Sequence, residues 1–535
     1  MVENIFTLFL AFSTALLATA DVPVCDGIQE FNLPQNLNTS IWYPTNFSTV
    51  AASVFPKNYN CEYQINVPIG MFARVWLNVI ANSTGGSIPV TVIDQLGRKE
   101  ELINETSNFY FLTPSGSIRL STSIQEVRFG FSVTWNHYNN SEPHRLNVSQ
   151  TDTLPILEKM DELHPYIVKA DTQVSVTTMR YFDYLDNILR SIVFFDGPDW
   201  NSTCLGNAKQ LFDGNTQFVS TGNTMTVMCL EWDYAVYFFT FVFQDYELTK
   251  DIVRFQSVIC SHQSACGTIM LDGSNGPVVF QSYETGGELT DVITNMEGTG
   301  NLDVYIGTVS VSKKNLIASY NVSSNNTLNL PQQFDGVFKS YVATGGIVNL
   351  TITRDPSAFY PTNDFGRKGF ISSYNYATNT SSQSSHAIVE APCGQVAKFR
   401  FVILQADMVE RTELRIIGYG SSTVYFKVYD QSALPTLNLF QEFTGTSLEV
   451  RYDTYRPNIG FLMDFQVSKL FRSMPSQSKG PEMEKIFHRC TLQKQKRIFR
   501  IGLNIRKYPK LPRLVQKLIG GFWPREQAQQ DNYNN

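Results

Sequence analysis

Hydrophobic and polar positions alternate with a period of two along most of the chain. The alternating runs are short and are separated by Gly, Asn, Asp, Ser and Pro. Such alternation buries one face of a β-strand and leaves the other in water. Val127–Trp135 (VRFGFSVTW) alternates strictly and Phe72–Ile80 nearly so. With Cys61–Val67, Val90–Ile93 and Ile118–Ser121 they predict a first unit over 21–136. A polar stretch, HYNNSEPHRLNVS, reads as a linker. The second unit, 150–246, contains Ser191–Cys229, where IVFFDG, a variable loop, the turn Thr221-Gly222-Asn223 and MTVMC follow one another. It closes on YAVYFFTFVF at Tyr234–Phe243. Thr153–Leu163 is the one segment before the tail that reads as helix, with Pro155 at its first helical position. A third unit, 250–355, rests on runs at Thr268–Leu271, Pro277–Phe280, Leu302–Ile306 and Ile347–Ile352. Pro356–Gln383 reads as a turn-rich junction. A fourth unit, 384–468, has strands at Val396–Leu404, Leu414–Ile417, Val424–Val428, Leu448–Tyr452 and Phe461–Val467.

The stretch Ser191–Cys229 has echoes at Asn108–Leu120 (NFYFLTPSGSIRL), Phe338–Thr351 (FKSYVATGGIVNLT) and Phe440–Tyr452 (FQEFTGTSLEVRY). In units one and four, runs ending in Asp94 and Asp430 occupy the same place in the order. Recurrence of one run–turn–run pattern predicts a duplicated fold. The expectation is an all-β chain of tandem sandwiches, each made of two sheets packed face to face.

Composition fits that picture: 38 Phe, 25 Tyr and only 17% charged residues in 535. Charge changes it in one place. From Arg472 onward the chain carries 14 Lys and Arg against 4 Asp and Glu, which leaves 28 basic and 44 acidic residues before it. The tail, 471–535, is basic and amphipathic and is interrupted by Pro509 and Pro512. It reads as a surface helix for acidic lipids or polyanions, as a disordered tail, or as a gene-model extension. Residues 1–20 read as a signal peptide, with an apolar run and a small-x-small end at Ala18-Thr19-Ala20. No later run is apolar enough for a transmembrane segment. Eleven N-x-S/T sequons, at Asn38, Asn46, Asn82, Asn104, Asn139, Asn147, Asn201, Asn321, Asn325, Asn349 and Asn379, are expected to carry glycans if the chain is secreted.

In an oxidising compartment the local pairings Cys25–Cys61, Cys204–Cys229 and Cys260–Cys266 are economical, although spacing does not fix the connectivity. Cys393 is left to pair with Cys490, to pair between chains or to stay reduced. His262 lies between Cys260 and Cys266, but a disulfide is preferred there to a zinc site. The six histidines form no metal-binding spacing. No Ser-His-Asp set, nucleophile elbow, P-loop or dinucleotide fingerprint appears in a supporting context. Asp94, Asp196, Asp213 and Asp430 read as turn formers, with a calcium ligand as the alternative.

FFDG…FVSTGNTMTV, with cysteines about 25 residues apart, resembles the closing half of a CUB domain. Cys25…NYNCEYQI…FARVWLNV resembles the nematode CUB-like family. The resemblance implies jelly-roll-like sandwiches with local disulfides Cys25–Cys61 and Cys204–Cys229. It implies extracellular protein or glycan partners, sometimes met through a calcium-bound loop, for which Asp196 is the matching position. It also implies a defence role against microbes. The expected protein is therefore a secreted, glycosylated, non-enzymatic binding protein of innate immunity that binds no nucleic acid. The alternatives are a matrix protein, or a glycan-binding protein with Tyr43, Trp76 or Trp200 exposed over a groove. The oligomeric state stays open.

Overall fold

The alternating runs fold into four β-sandwiches in a computed structural model. It describes residues 24–470, except 46, 48–51, 82–87, 124–125, 161–163, 181–185, 232–238, 258–266, 284–289, 361–363, 379–383, 393–394 and 421–423. The proposed signal peptide, the tail, Cys260, Cys266, His262, Cys393, Cys490, Asn46, Asn82 and Asn379 lie outside the described residues.

Sandwich 1 has ten strands: β1 (Ile28–Phe31), β2 (Ile41–Tyr43), β3 (Ser53–Phe55), β4 (Asn60–Asn66), β5 (Met71–Ala81), β6 (Val90–Ile93), β7 (Lys99–Leu102), β8 (Asn104–Leu112), β9 (Ser115–Ser121) and β10 (Val127–His137). One sheet runs β1-β4-β9-β6-β7; the other runs β2-β10-β5-β8, with β3 also on β10. The Cys25–Cys61 disulfide, with Cα atoms 5.6 Å apart, ties the entry of β1 to its parallel partner β4.

Sandwich 2 comprises β11 (His144–Val148), β12 (Ile156–Glu158), β13 (Tyr166–Ala170), β14 (Val174–Arg180), β15 (Ile192–Asp196), β16 (Thr203–Asn207), β17 (Phe218–Val219), β18 (Thr224–Cys229) and β19 (Phe239–Asp245), with helix α1 at Ala208–Asp213. Its sheets run β11-β13-β18-β15-β16 and β12-β19-β14-β17. Sandwich 3 comprises β20 (Arg254–Ser257), β21 (Gly267–Asp272), β22 (Val278–Tyr283), β23 (Thr290–Gly298), β24 (Asn301–Ile306), β25 (Leu316–Asn321), β26 (Gln332–Asp335), β27 (Phe338–Thr344) and β28 (Ile347–Thr353). Its sheets run β20-β22-β27-β24-β25 and β21-β28-β23-β26. Sandwich 4 comprises β29 (Lys368–Ser372), β30 (Ser385–Glu390), β31 (Ala397–Ala406), β32 (Glu413–Tyr419), β33 (Tyr425–Tyr429), β34 (Phe440–Gly445), β35 (Ser447–Asp453) and β36 (Phe461–Lys469), in sheets β29-β36-β31-β34 and β30-β35-β32-β33.

All four follow one topology. Numbered within a repeat, and leaving out the extra β3, the strands are ordered 1-3-8-5-6 in one sheet and 2-9-4-7 in the other. Strand 1 pairs in parallel with strand 3 in the first three repeats. The fourth has no strand 1 among its described residues. The third repeat, whose likeness to the others is faintest in the sequence, has the same connections as the second.

This frame corrects several expectations. The echoes at 108–120 and 440–452, like the turn inside Ser191–Cys229, join strands 7 and 8 and cross from one sheet to the other. The echo at 338–351 joins strands 8 and 9, so its alignment was one strand out of step. Asp94 ends strand 5 whereas Asp430 ends strand 6, so the two are not equivalent. Thr153–Leu163 holds no helix in its described part: Ile156–Glu158 is a strand paired with Phe241–Phe243. Ile156 packs on the core of sandwich 2 and its neighbour Leu157 on the second junction, the two-faced alternation of a strand and not a helical stripe. The helix is instead α1, which Asn207 and Gln210 close in a reciprocal capping box. Sandwich 2 begins with β11, inside the stretch read as linker, and sandwich 4 begins with β29, inside the stretch read as junction. Both are edge strands whose short, partly polar sequences give little periodicity.

Sandwiches 1 and 2, and sandwiches 2 and 3, stack face to face. The 2-9-4-7 sheet of sandwich 1 packs its outer face on the 1-3-8-5-6 sheet of sandwich 2, through Phe72, Leu112 and Tyr138 against Val193, Phe195 and Met228. Sandwiches 2 and 3 repeat the contact through Met179 and Val242 against Phe338. At the first junction Arg190, 3% exposed, pairs with Glu100, bonds Glu105 at 3.0 Å and Ser107 Oγ at 2.7 Å, and lies over the Phe109 ring. Glu231 of sandwich 2 takes Arg74 at 2.6 Å, Asn108 at 3.2 Å and the Tyr110 hydroxyl.

Replacing Arg190 with Met removes its charge-assisted hydrogen bonds to two partly exposed carboxylates and should cost about 1.5–3 kcal/mol in denaturant unfolding. Removing the 36-residue disulfide loop with Cys25→Ser and Cys61→Ala together should cost about 4 kcal/mol by the same measurement, from loop-closure entropy.

Candidate functional site

Sandwich 4 meets sandwich 3 along an edge strand, not across a face. Gln332 of β26 bridges to β29: its Nε2 donates to Phe370 O at 2.9 Å and its Oε1 accepts from Phe370 N at 3.2 Å. These bonds satisfy backbone groups that an edge strand leaves open. The Phe370 ring sinks into the core of sandwich 3, 5.5 Å from the Phe334 centroid. Arg367 Nη2 donates to Pro331 O at 2.9 Å, and Asn375 Oδ1 accepts from Val337 N at 2.8 Å.

Because this contact follows an edge, the outer face of β29-β36-β31-β34 stays open toward β25. A cleft of ≈ 590 Å³ lies between them. Strand register sets its floor. Phe370, Asp464, Val402 and Phe440 stand side by side across the four strands, with Lys368, Gln466, Arg400 and Glu442 in the adjoining row. Tyr320, Asn321, Asn326 and Asn329 contribute to the wall. Asn326, itself buried, holds the wall loop by donating to Asn321 O at 2.9 Å and Ser324 O at 3.0 Å.

Two charged groups stand on the floor. Asp464 is exposed on β36, with no hydrogen bond or ion pair of its carboxylate among the described residues, and partial desolvation raises its pKa from the ordinary 3.8. Arg400 Nε has no hydrogen-bond partner, while its guanidinium lies 5.0 Å from the Phe440 centroid. Glu442 approaches it only to 3.8 Å. Phe440 is 65% exposed. Burial raises the pKa of Tyr320 on the opposite wall. An acceptor, a donor and an open aromatic face suit a ligand with several hydroxyls and an apolar C–H face.

The expected site residues fall elsewhere. Cys25 and Cys61 are joined, but Cys204 and Cys229 are not. The two lie on β16 and β18 with β15 between them, so two strand spacings, about 10 Å, separate their backbones. They also face opposite ways: Cys204 joins the contact with sandwich 1, whereas Cys229 points into the core of sandwich 2. Gln95 Nε2 donates to Cys204 Sγ at 3.4 Å, and Cys229 Sγ donates to Glu231 O at 3.2 Å. Burial pushes the Cys204 thiol up to about 11.

The four aspartates stay apart and are engaged locally. Asp94 accepts from Leu96 N and Arg98 N and from Gln210 across the first junction. Asp196 accepts from Thr221 N, Asp213 pairs with Lys209, and Asp430 accepts from Ser432 and Ala433. Among the described residues no group of three or more His, Cys, Asp or Glu could hold a metal ion.

Of the aromatics expected over a groove, Tyr43 is core, Trp76 stacks on Phe47 and Trp200 stacks on Tyr138 at the first junction. None reaches the cleft. Phe440 does, and one signal could have found it: in FQEFTG it shares strand parity with Glu442 and Thr444, on the polar side. Asn38, Asn104, Asn139, Asn147, Asn201, Asn321 and Asn325 are exposed and Asn349 is half-buried on β28.

Residues 20–139 match the CUB-like domain family. Residues 147–230 and 247–355 match two families described as domains of unknown function, DUF7592 and DUF7591. Curated proteins yield no match. Among solved structures, the CUB1-EGF-CUB2 domains of rat MASP-1 align with 40% of this chain and 99% of theirs, at 9% identity and a TM-score of 0.15. The same domains of human MASP-1/3 align with 38% and 99%, at 10% identity and 0.16. The MASP-1 CUB2 domain bound to Ca2+ aligns with 20% and 96%, at 13% identity and 0.15. Alignments at such scores carry no argument. The chain opens with a CUB-like domain, and its architecture is that of tandem β-sandwiches.

An NMR titration of the Asp464 carboxyl should give a midpoint above 3.8, because the cleft disfavours its charged form. A midpoint at or below 3.8 would place Asp464 in open solvent or beside a cation.

Proposed function

We propose that this chain is a secreted, glycosylated, non-enzymatic binding protein serving innate immune defence, and that it takes a saccharide-bearing partner in the cleft between sandwiches 3 and 4. The observation that carries the reading is the Asp464 carboxylate and the Arg400 guanidinium lining one cleft beside the exposed Phe440. Carboxylate oxygens accept from sugar hydroxyls, guanidinium N–H groups donate to sugar oxygens, and an aromatic face receives the apolar side of a pyranose. Binding is the reading favoured here because a carboxylate, a guanidinium and an open aromatic ring together suit recognition of a hydroxylated ligand.

Extracellular placement is supported by the CUB-like match, the Cys25–Cys61 disulfide and the sequons. Among the described residues no helix is long and apolar enough to cross a membrane. The defence role follows from the resemblance to the nematode CUB-like family, and no resident cofactor belongs to this reading.

Titration of the secreted chain with microbial surface polysaccharides should show saturable binding. Phe440→Ala and Asp464→Asn should each weaken it about tenfold, the loss of about 1.4 kcal/mol, with unchanged unfolding midpoints. Binding that ignores both substitutions would remove the cleft from the function. A reduced, unglycosylated product retained in the cytosol would overturn the extracellular reading.

A further inference from the structure

The cleft has a saccharide attachment point of its own. Asn321 lines the wall and begins the sequon Asn321-Val322-Ser323. Its Oδ1 accepts from Ser323 N at 3.1 Å and Ser323 Oγ at 2.7 Å, and neither bond engages the amide nitrogen. Asn325, four residues on, shows the same turn with Thr327, at 3.0 and 2.7 Å, but does not line the cleft. Two adjacent sequons of matching local geometry thus differ in what faces them. Both are exposed, but Asn321 lines the cleft with Asp464, Arg400 and Phe440, and Asn325 does not.

We propose that the N-linked glycan of Asn321 folds back into the cleft, fills it with its first sugars and caps it against outside saccharides. This rests on the glycoprotein and saccharide-cleft reading above. In the modification, Asn321 Nδ2 forms a bond to the anomeric carbon of the first N-acetylglucosamine. The bond from that carbon to a polyprenyl diphosphate donor breaks, the diphosphate leaves and the amide loses a proton. The glycan is a tethered ligand, so even weak contacts hold it, because attachment supplies an effective concentration in the millimolar range. Asp464 then accepts from sugar hydroxyls, Arg400 donates to sugar oxygens, and Phe440 covers an apolar sugar face. The glycan also bridges the wall of sandwich 3 to the floor of sandwich 4, at the junction with no face-to-face stacking.

The test uses the full secreted chain in its native state. A peptide:N-glycanase is added, and release is followed site by site by glycopeptide mass spectrometry. The Asn321 glycan should be released about tenfold more slowly than the Asn325 glycan, and Phe440→Ala or Arg400→Gln should bring the two rates together. Asn321→Gln should strengthen binding of added polysaccharide, since it removes the cap. Equal release rates in the unsubstituted chain would overturn the proposal. So would an unoccupied Asn321 in a chain whose Asn139 and Asn325 carry glycans, and that result would leave the glycoprotein reading standing. If no sequon is occupied, the glycoprotein reading falls first and the proposal with it. If polysaccharide binding is absent but Asn321 alone is protected, the capping glycan is the cleft's ligand and the outside saccharide is not.

Discussion

The face-to-face contact between successive sandwiches is the constraint from which the rest follows. A sheet in a lone sandwich has one wet face, and in this chain that face is covered twice, at the first and second junctions. The covered outer faces are apolar or carry matched polar groups, such as Arg190 among Glu100, Glu105 and Ser107, and Thr177 against Gln281 at 3.1 Å. Burying Phe72, Phe195 and Met228 together removes enough apolar surface to make those repeats mutually dependent. The third junction breaks the pattern. Sandwich 4 docks by the edge strand β29, and the face left uncovered becomes the floor of the cleft.

The same constraint explains how far the sequence could be read. Strands with one wet face, such as β4, β9 and β36, alternate clearly and were legible. Strands covered on both faces lose the alternation: β19 is buried throughout, and β18 and β27 nearly so. Their runs still announced strands, but nothing in them told which face met which neighbour. Edge strands β11, β12 and β29 were missed because pairing on one side by three to five residues needs little apolar content. The helix read after Pro155 is a strand, and the chain's capping box at Asn207-Ala208-Lys209-Gln210 starts α1 instead.

The candidate site was the least legible part. Cys25–Cys61 joins residues whose strands pair directly, whereas Cys204 and Cys229 sit three sequence elements apart and on opposite faces. Proximity along the chain could not separate the two cases; strand order does. Asp94 and Asp196 drew attention as calcium candidates because they end strands in turns. They are equivalent positions of one repeat, and each is engaged by nearby backbone N–H groups. The charged groups of the cleft, Asp464 and Arg400, come from strands 9 and 4 of the last repeat. They sit on the wet face of runs otherwise read only for their core residues. A buried cluster in sandwich 3 provides a contrast. Asp291 takes Lys339 at 3.4 Å and the Tyr341 hydroxyl at 2.9 Å. Burial alone would raise the Asp291 carboxyl, but the Lys339 and Arg354 charges outweigh it and hold it below its ordinary value. The Asp291 charge is compensated in the interior, whereas Asp464 and Arg400 meet the open cleft.

Calorimetric unfolding of the full chain tests the stacking account most directly. Sheets that share covered faces should lose them together, so sandwiches 1, 2 and 3 should melt in one cooperative transition, with sandwich 4 in a separate one. Arg190→Met should lower the first transition and leave the second in place. Four independent transitions, with only sandwiches 1 and 2 responding to that substitution, would contradict the account.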